Sequence, residues 1–233
     1  MFSNKTFKII LALMVAAIMP LSLYFIMRQM HDGHIDMPKR YRMESVQAFE
    51  KDGKQYNDTI YHTISDLALT NQLGKKIRLN SDLQGKVLVI DFMFTTCTTV
   101  CPQLSSNMAA LQKAWKKKKP DWVQFISITV DPSRDSVTAL RAYADQFGAD
   151  HDRWYFLTGD QQTIFDFAKN ELGVVLQPED GGSGVVHSEN IILIDPKRHI
   201  RGYYNGTDAR SVAQLANDIA ILQMEKEKKP IKR

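Results

Sequence analysis

The sequence predicts an α/β sandwich with a mixed central sheet, preceded by one N-terminal transmembrane helix. Apolar, β-branched stretches alternate with segments of helical periodicity between residues 86 and 172, the pattern that lays strands side by side under covering helices. Two adjacent strand patterns and a last helix close the chain and bring an antiparallel element into the same sheet. Ahead of them, Ile9 to Met27 runs nineteen residues without a charge, about the length needed to cross a bilayer.

That first run is flanked by Lys5 and Lys8 on one side and Arg28 on the other. It leaves through Leu23-Tyr24-Phe25-Ile26-Met27 rather than through small residues, so it reads as an uncleaved anchor and not as a removed signal peptide. Lys5, Lys8 and the amino terminus favour a cytoplasmic N-terminus, with Arg28, Lys39, Arg40 and Arg42 as a counterweight beyond the run. Residues 1–28 are read as the anchor. Residues 29–60, rich in His, Asp, Lys and Tyr without a sustained period, are read as a tether with at most one short strand. The folded domain is expected over 61–224, followed by a charged tail, 225–233.

Within the domain, Lys86 to Phe94 (KVLVIDFMF) is a nearly continuous apolar run and predicts a strand buried on both faces. Downstream, Leu104, Met108, Leu111 and Trp115 fall at helical spacing, with Pro102 in the first turn, where its missing N–H costs nothing. Val123 to Asp131 alternates as a second strand. Ser133 is placed as the cap of a helix carrying Val137, Leu140, Ala144 and Phe147 that Gly148 ends. RWYFLTGD, from Arg153, is a third strand running into a helix from Gln161 to about Leu172, with Ile164, Phe165 and Ala168 inward. VVHSENIILID, from Val185, supplies a fourth strand. His199 to Gly206 pairs with it as a fifth through a turn from Asp195 to Arg198. Ala209 to Glu225 is the last helix, burying Val212, Leu215, Ile219 and Leu222.

Composition narrows the function. The 233 residues, 44% hydrophobic and 24% charged, suffice for one well-buried domain with appendages. The net charge of +4 is spread along the chain apart from Lys116 to Lys119 and the tail. No basic face interleaved with aromatics is visible, so nucleic-acid binding is excluded as a reading. Two cysteines are too few for a secreted disulfide framework, and too few alone for a four-thiolate metal site.

Those two, Cys97 and Cys101, stand in FTTCTTVCPQ, where the first central strand turns into its helix. Functional groups gather at such strand ends in open α/β sheets. The pair can close a disulfide, pass electrons or hold a metal ion. With Pro102 opening the helix, the Cys101 thiol is expected at the helix N-terminus, where unpaired N–H groups and the dipole favour a thiolate. The three intervening residues permit a disulfide and also let two sulfurs converge on one ion. Soft thiolates suit Cu(I) or Zn(II), and a further ligand then has to come from elsewhere. His187, after the glycine-rich PEDGGSG and just before NIILID, is the leading candidate, although a histidine near such a loop is a surface residue more often than a ligand.

Taken together, DFMFTTCTTVCP, ITVDPSRDSVTALRAYADQFG, WYFLTG and VVHSENIILID closely resemble the Sco (SenC) proteins, copper-binding assembly factors of cytochrome c oxidase. The likeness covers the anchor and nearly all of 61–222, and CxxxCP, DPxRD and a late His are more specific in combination than any one alone. The resemblance implies a thioredoxin-like fold on a membrane anchor, facing outside the cytoplasm. In a bacterium, which the short, Arg-poor N-terminus suggests, that means a single pass through the cytoplasmic membrane with the domain in the periplasm or at the cell exterior. It also implies Cys97, Cys101 and His187 as copper ligands, for Cu(I) or Cu(II), and Asp131 of the DPxRD stretch as an accessory in copper transfer.

The reading that results is a metallochaperone that hands copper to the copper-site subunit of cytochrome c oxidase. The alternative is a thiol-disulfide oxidoreductase, with Cys97 and Cys101 as a redox-active pair that reduces the cysteines of that oxidase site and is itself reduced by a redox partner. A copper or redox sensor is a third. Thioredoxin-like reductases present a cis-proline before a strand beside their cysteines. No proline here precedes NIILID more closely than Pro178, and His187 stands there instead, which favours the metal.

Other residues have plainer explanations. Asp131 and Asp135 around Pro132 also fit a strand-end turn and a first-turn helix carboxylate. Lys116 to Lys119 suit the solvated end of a helix, with a docking patch for an acidic partner as the alternative. Met30, His31, His34 and Met37 have ligand types suited to copper but sit in the tether, and Tyr203 and Tyr204 read as sheet-packing aromatics.

Overall fold

The computed structural model describes residues 8–9, 14, 16, 18–26, 38–51, 53–116, 121–178, 185–186 and 188–227. The chain divides into two units, Met1–Asp36 and Met37–Arg233. In the first, residues 18–26 are helical, with Ile18, Leu21 and Phe25 exposed. Among the described residues no helix is long and apolar enough to cross a membrane, and part of the run expected to do so lies outside them.

The second unit opens with an antiparallel ribbon, β1 (Met43–Lys51) and β2 (Lys54–Tyr61), in the stretch expected to be a tether. The signal for this correction is in the sequence: Asp-Gly between two strands is the two-residue connection that matches strand twist. Gly53 takes a φ of 71°, which costs a glycine nothing. Phe49 stacks on its cross-strand partner Tyr56 with centroids 5.6 Å apart. The domain is fastened earlier still, because the buried Arg201 donates Nε and Nη2 to the Pro38 carbonyl at 3.0 and 2.8 Å. The compact unit therefore starts well before Tyr61.

Two short strands that the sequence reading missed follow, β3 (Ala68–Asn71) and β4 (Lys76–Arg78). Then come β5 (Val87–Met93), α1 (Val100–Lys116), β6 (Val123–Thr129), α2 (Val137–Gln146), β7 (Trp154–Thr158) and α3 (Gln161–Asp166). β8 (Gln177–Pro178) and β9 (Val185–Val186) form a separate small ladder, ahead of β10 (Asn190–Ile194), β11 (Ile200–Asn205) and α4 (Ala209–Glu227). The main sheet has the order β11-β10-β5-β6-β7-β3-β4. Its centre, β5, β6 and β7, is parallel, and the flanking pairs are antiparallel, so the sheet is mixed as expected.

Every residue of β5 and β6 is buried. The alternation read in β6 gives way to burial on both faces because helices cover the sheet from both sides. Leu88, Ile90, Phe92, Ile126 and Ile128 pack with Ile164, Phe167 and Ala168. Val87, Val89, Met93, Val123 and Phe125 pack on the other face with Met108, Leu111 and Trp115 of α1, Leu140 and Tyr143 of α2, and Leu215, Ile219 and Leu222 of α4. Burial of each such side chain stabilises by about 1.5–3 kcal/mol.

Two helix ends differ from expectation. Ser136, not Ser133, caps α2, accepting the Ala139 N–H at 3.2 Å. The chain first completes a turn on Asp131, whose carbonyl accepts from Arg134 and Asp135, and Ser133 donates its hydroxyl to the Asp131 carboxylate. After Asp166 the helix widens into a π turn, Phe167–Glu171, which places Phe167 in the core. Gly148 ends α2 as expected, at a φ of 62° with its N–H on the Asp145 carbonyl.

Candidate functional site

β5 and β6 run parallel in register from Val87 opposite Val123 to Met93 opposite Thr129, so both strands release the chain at the same level of the sheet. The Val130 N–H bonds the Met93 carbonyl at 2.9 Å and carries the pairing one step further. From there one segment leads through the cysteines into α1, and the other leads through Asp131 and Asp135 into α2.

Cys97 closes a tight turn, its N–H on the Phe94 carbonyl at 3.2 Å, and Cys101 lies in the first turn of α1. Both are buried thiols, Cys97 at 8% exposure and Cys101 at 1%. The Cys101 amide donates to Cys97 Sγ at 3.3 Å, and the Thr99 hydroxyl stands 3.9 Å from the same sulfur. It is therefore the Cys97 sulfur, carried three residues ahead of the helix start at Val100, that takes a first-turn amide and meets the positive end of the helix.

This reverses the expected acidity. Burial pushes the Cys97 thiol up, but donation from the Cys101 thiol and amide and from Thr99 outweighs it, and Cys97 is held below the usual thiol range. Cys101 is pushed well above that range, first by burial, then by donating its proton to Cys97, and further by the charges of Cys97 and Asp91. Pro102 is the third helical residue, not the first. The helix starts at Val100 and turns Cys101 inward.

The neighbouring segment contributes two carboxylates in different settings. Asp131 meets its own turn, accepting from the Ser133 hydroxyl at 2.7 Å and facing Arg134 Nε at 3.4 Å. Asp135 is buried. It accepts from the Thr95 N–H at 3.1 Å, from the Thr95 hydroxyl and from the Thr129 hydroxyl.

Beneath the thiols lies a group that the sequence reading passed over. Asp91 is wholly buried in β5; Ser127 Oγ donates to its Oδ1 at 2.5 Å and itself accepts from Trp154 Nε1 at 2.9 Å. Its Oδ2 has no partner among the described residues. Burial pushes the Asp91 carboxyl up to about 7 against the pull of the Ser127 bond. A lone acid inside the apolar run KVLVIDFMF was the available signal.

His187 lies outside the described residues, as do Lys117 to Lys119 and Met30, His31, His34 and Met37. β10 begins at Asn190, three residues beyond His187 in sequence, and runs antiparallel to β5 with Ile192 opposite Ile90. It thus enters the sheet at the end where β5 delivers the cysteine turn. Among the described residues no three His, Cys, Asp or Glu side chains stand close enough to hold a metal.

The family description SCO1/SenC matches residues 55–222. The chain belongs to the SCO1/SenC family. The SCO1 protein homolog of Bacillus subtilis is 32% identical over 168 residues, which cover 72% of this chain and 86% of that protein. Among solved structures, BsSco, a member of the Sco family of cytochrome c oxidase assembly proteins in which a disulfide switch has been identified, is 30% identical with a TM-score of 0.62, over 70% of this chain and 94% of that one. ScoI of Bradyrhizobium japonicum, solved with copper bound, is 26% identical with a TM-score of 0.55, over 66% and 97%. These matches bear out the α/β, thioredoxin-like fold with its mixed sheet, and the family expected from the motifs.

Proposed function

We propose that this SCO1/SenC protein is a copper metallochaperone, held in a bacterial cytoplasmic membrane by residues 1–28 with its domain on the periplasmic or outer side. Copper is its cargo. Cys97, Cys101 and His187 hold one ion, and ligand exchange assisted by Asp131 passes it to the dinuclear copper site of cytochrome c oxidase. The observation that carries this reading is the pairing of two buried thiols at one helix start, the Cys97 sulfur accepting the Cys101 amide at 3.3 Å and its thiol held below the ordinary range. Soft sulfur donors suit Cu(I), and three ligands leave a position open for exchange. Burial holds the proton on Cys101, so taking up copper releases it and copper affinity rises with pH.

The test is an anaerobic copper titration of the reduced full-length protein in detergent, with His187→Ala beside it. One equivalent bound tightly by the wild type, and affinity weakened at least tenfold in the variant, is the expected result. Unchanged affinity in His187→Ala removes the histidine from the site, and absence of stoichiometric binding by the wild type sinks the chaperone reading.

The asymmetry of the thiols supports a second reading, a thiol-disulfide oxidoreductase. Cys97 would attack a disulfide in the oxidase copper site, and Cys101 would then displace the substrate sulfur. The pair loses two electrons and closes a disulfide while the substrate gains two thiols. This reading predicts turnover of a disulfide substrate that survives loss of His187.

A further inference from the structure

We infer that Asp135 is a positioning residue for the thiol pair, the side chain that fixes the Cys97 turn against the end of β6. The inference rests on the copper reading for its cargo, and its geometry stands apart from that reading.

Thr95, two residues before Cys97, presents both its N–H and its hydroxyl to this one carboxylate. Thr129, the last residue of β6, adds its hydroxyl from the neighbouring strand. Thr129 Oγ1 also accepts the Asp131 N–H at 3.0 Å, and the Asp135 N–H returns to the Asp131 carbonyl at 3.0 Å. One side chain at 1% exposure thus ties together the cysteine turn, the strand end and the Asp131 turn.

A carboxylate is the side chain this arrangement needs. Three donors converge on it, and only an ionised acid offers two oxygens with no hydrogen to point back at them. Asparagine would turn an NH2 toward one of the donors. A buried charge is expensive to keep, and an apolar staple would hold two loops together more cheaply. What the carboxylate adds is direction: each donor must meet an oxygen lone pair, which fixes Thr95 and so the turn on which the Cys97 sulfur is carried.

The full-length protein is compared with Asp135→Asn, Thr95→Val, Thr95→Ser and Ile164→Ala. The last is a destabilised control from the opposite face of the sheet. Two quantities are read: copper affinity with the sulfur-to-copper(II) charge-transfer band, and, without metal, the equilibrium constant for closing the Cys97–Cys101 disulfide with oxidised glutathione, which leaves as two thiols. Asp135→Asn and Thr95→Val are expected to weaken copper binding by about 10–100-fold, the usual effect of removing a partner that orients a ligand. They should shift the band and lower the disulfide constant several-fold, Thr95→Ser should restore both, and Ile164→Ala should change neither. Thr95→Val carries the test alone if Asp135→Asn does not fold.

Wild-type values in Thr95→Val and Asp135→Asn, or losses of the same size in Ile164→Ala, overturn the inference. If the wild type takes up no copper, the chaperone reading falls, and the disulfide constant alone decides the role of Asp135.

Discussion

Replacing Asp91 with asparagine should stabilise the protein at alkaline pH and leave it nearly unchanged at acid pH. Asp91 is wholly buried, its Oδ2 lacks a partner among the described residues, and its carboxyl is pushed up to about 7. In the unfolded chain an aspartate titrates near 3.9. Between those values the folded state keeps a proton that the unfolded state has lost, so stability falls as pH rises through this window. The loss is complete above about 7. About three pKa units at 1.36 kcal/mol each give about 4 kcal/mol. Asparagine has nearly the same shape, accepts the Ser127 hydroxyl on its own Oδ1, and never ionises. Urea unfolding followed by tryptophan fluorescence at half-unit steps from pH 4.5 to 8.5 should therefore show a variant-minus-wild-type difference that grows by about 1.4 kcal/mol per pH unit and levels off above pH 7. Burial shields the group, so added salt should leave the curve in place. A difference that stays flat across pH would refute the argument that burial lets Asp91 keep its proton in the folded protein up to about pH 7.

Two further outcomes follow from the same geometry. Iodoacetamide should modify Cys97 before Cys101, and Cys101→Ala, by removing the thiol that donates to Cys97, should move the pH midpoint of Cys97 alkylation upward; a downward shift would show that the thiol pair does not set its acidity. Ser136→Ala should cost about 1 kcal/mol in chemical denaturation through loss of the α2 cap, and Ser133→Ala should cost less, the reverse of the order expected from the sequence.

What was legible in the chain was what repeats. KVLVIDFMF could hardly be anything but a buried strand, and Leu104, Met108, Leu111 and Trp115 mark one face of a helix at every turn. β3 and β4 escaped because they are only four and three residues long and owe their order to pairing and turn chemistry. Asn71 Oδ1, for example, takes the amides of Leu73 and Lys75 in the turn between them. Of the site, the sequence made the two thiols legible as neighbours at a helix start but not their separate acidities. CxxxCP announces two thiols at a helix start, but which sulfur receives the helix amide depends on where the first turn begins, and a shift of two residues exchanges the two acidities. Asp135 could be read equally well as a helix carboxylate because its decisive partner, Thr95, is forty residues away.

The bond between Arg201 and the Pro38 carbonyl governs how this protein can be cut. The guanidinium is 4% exposed and also meets Asp195 at 3.0 Å and Glu225 at 2.9 Å, so it joins the chain's entry to β11 and to the last helix. A soluble fragment trimmed to residue 45, or to the start of the family match at residue 55, strips the carbonyl from two of its N–H groups, and each buried donor left unpaired costs about 1–3 kcal/mol. A protease that severs the chain before Pro38 leaves this joint whole. One that severs it just after Pro38 lets that carbonyl leave, so Nε and Nη2 of a buried arginine lose their acceptor while Nη1 keeps Asp195 and Glu225.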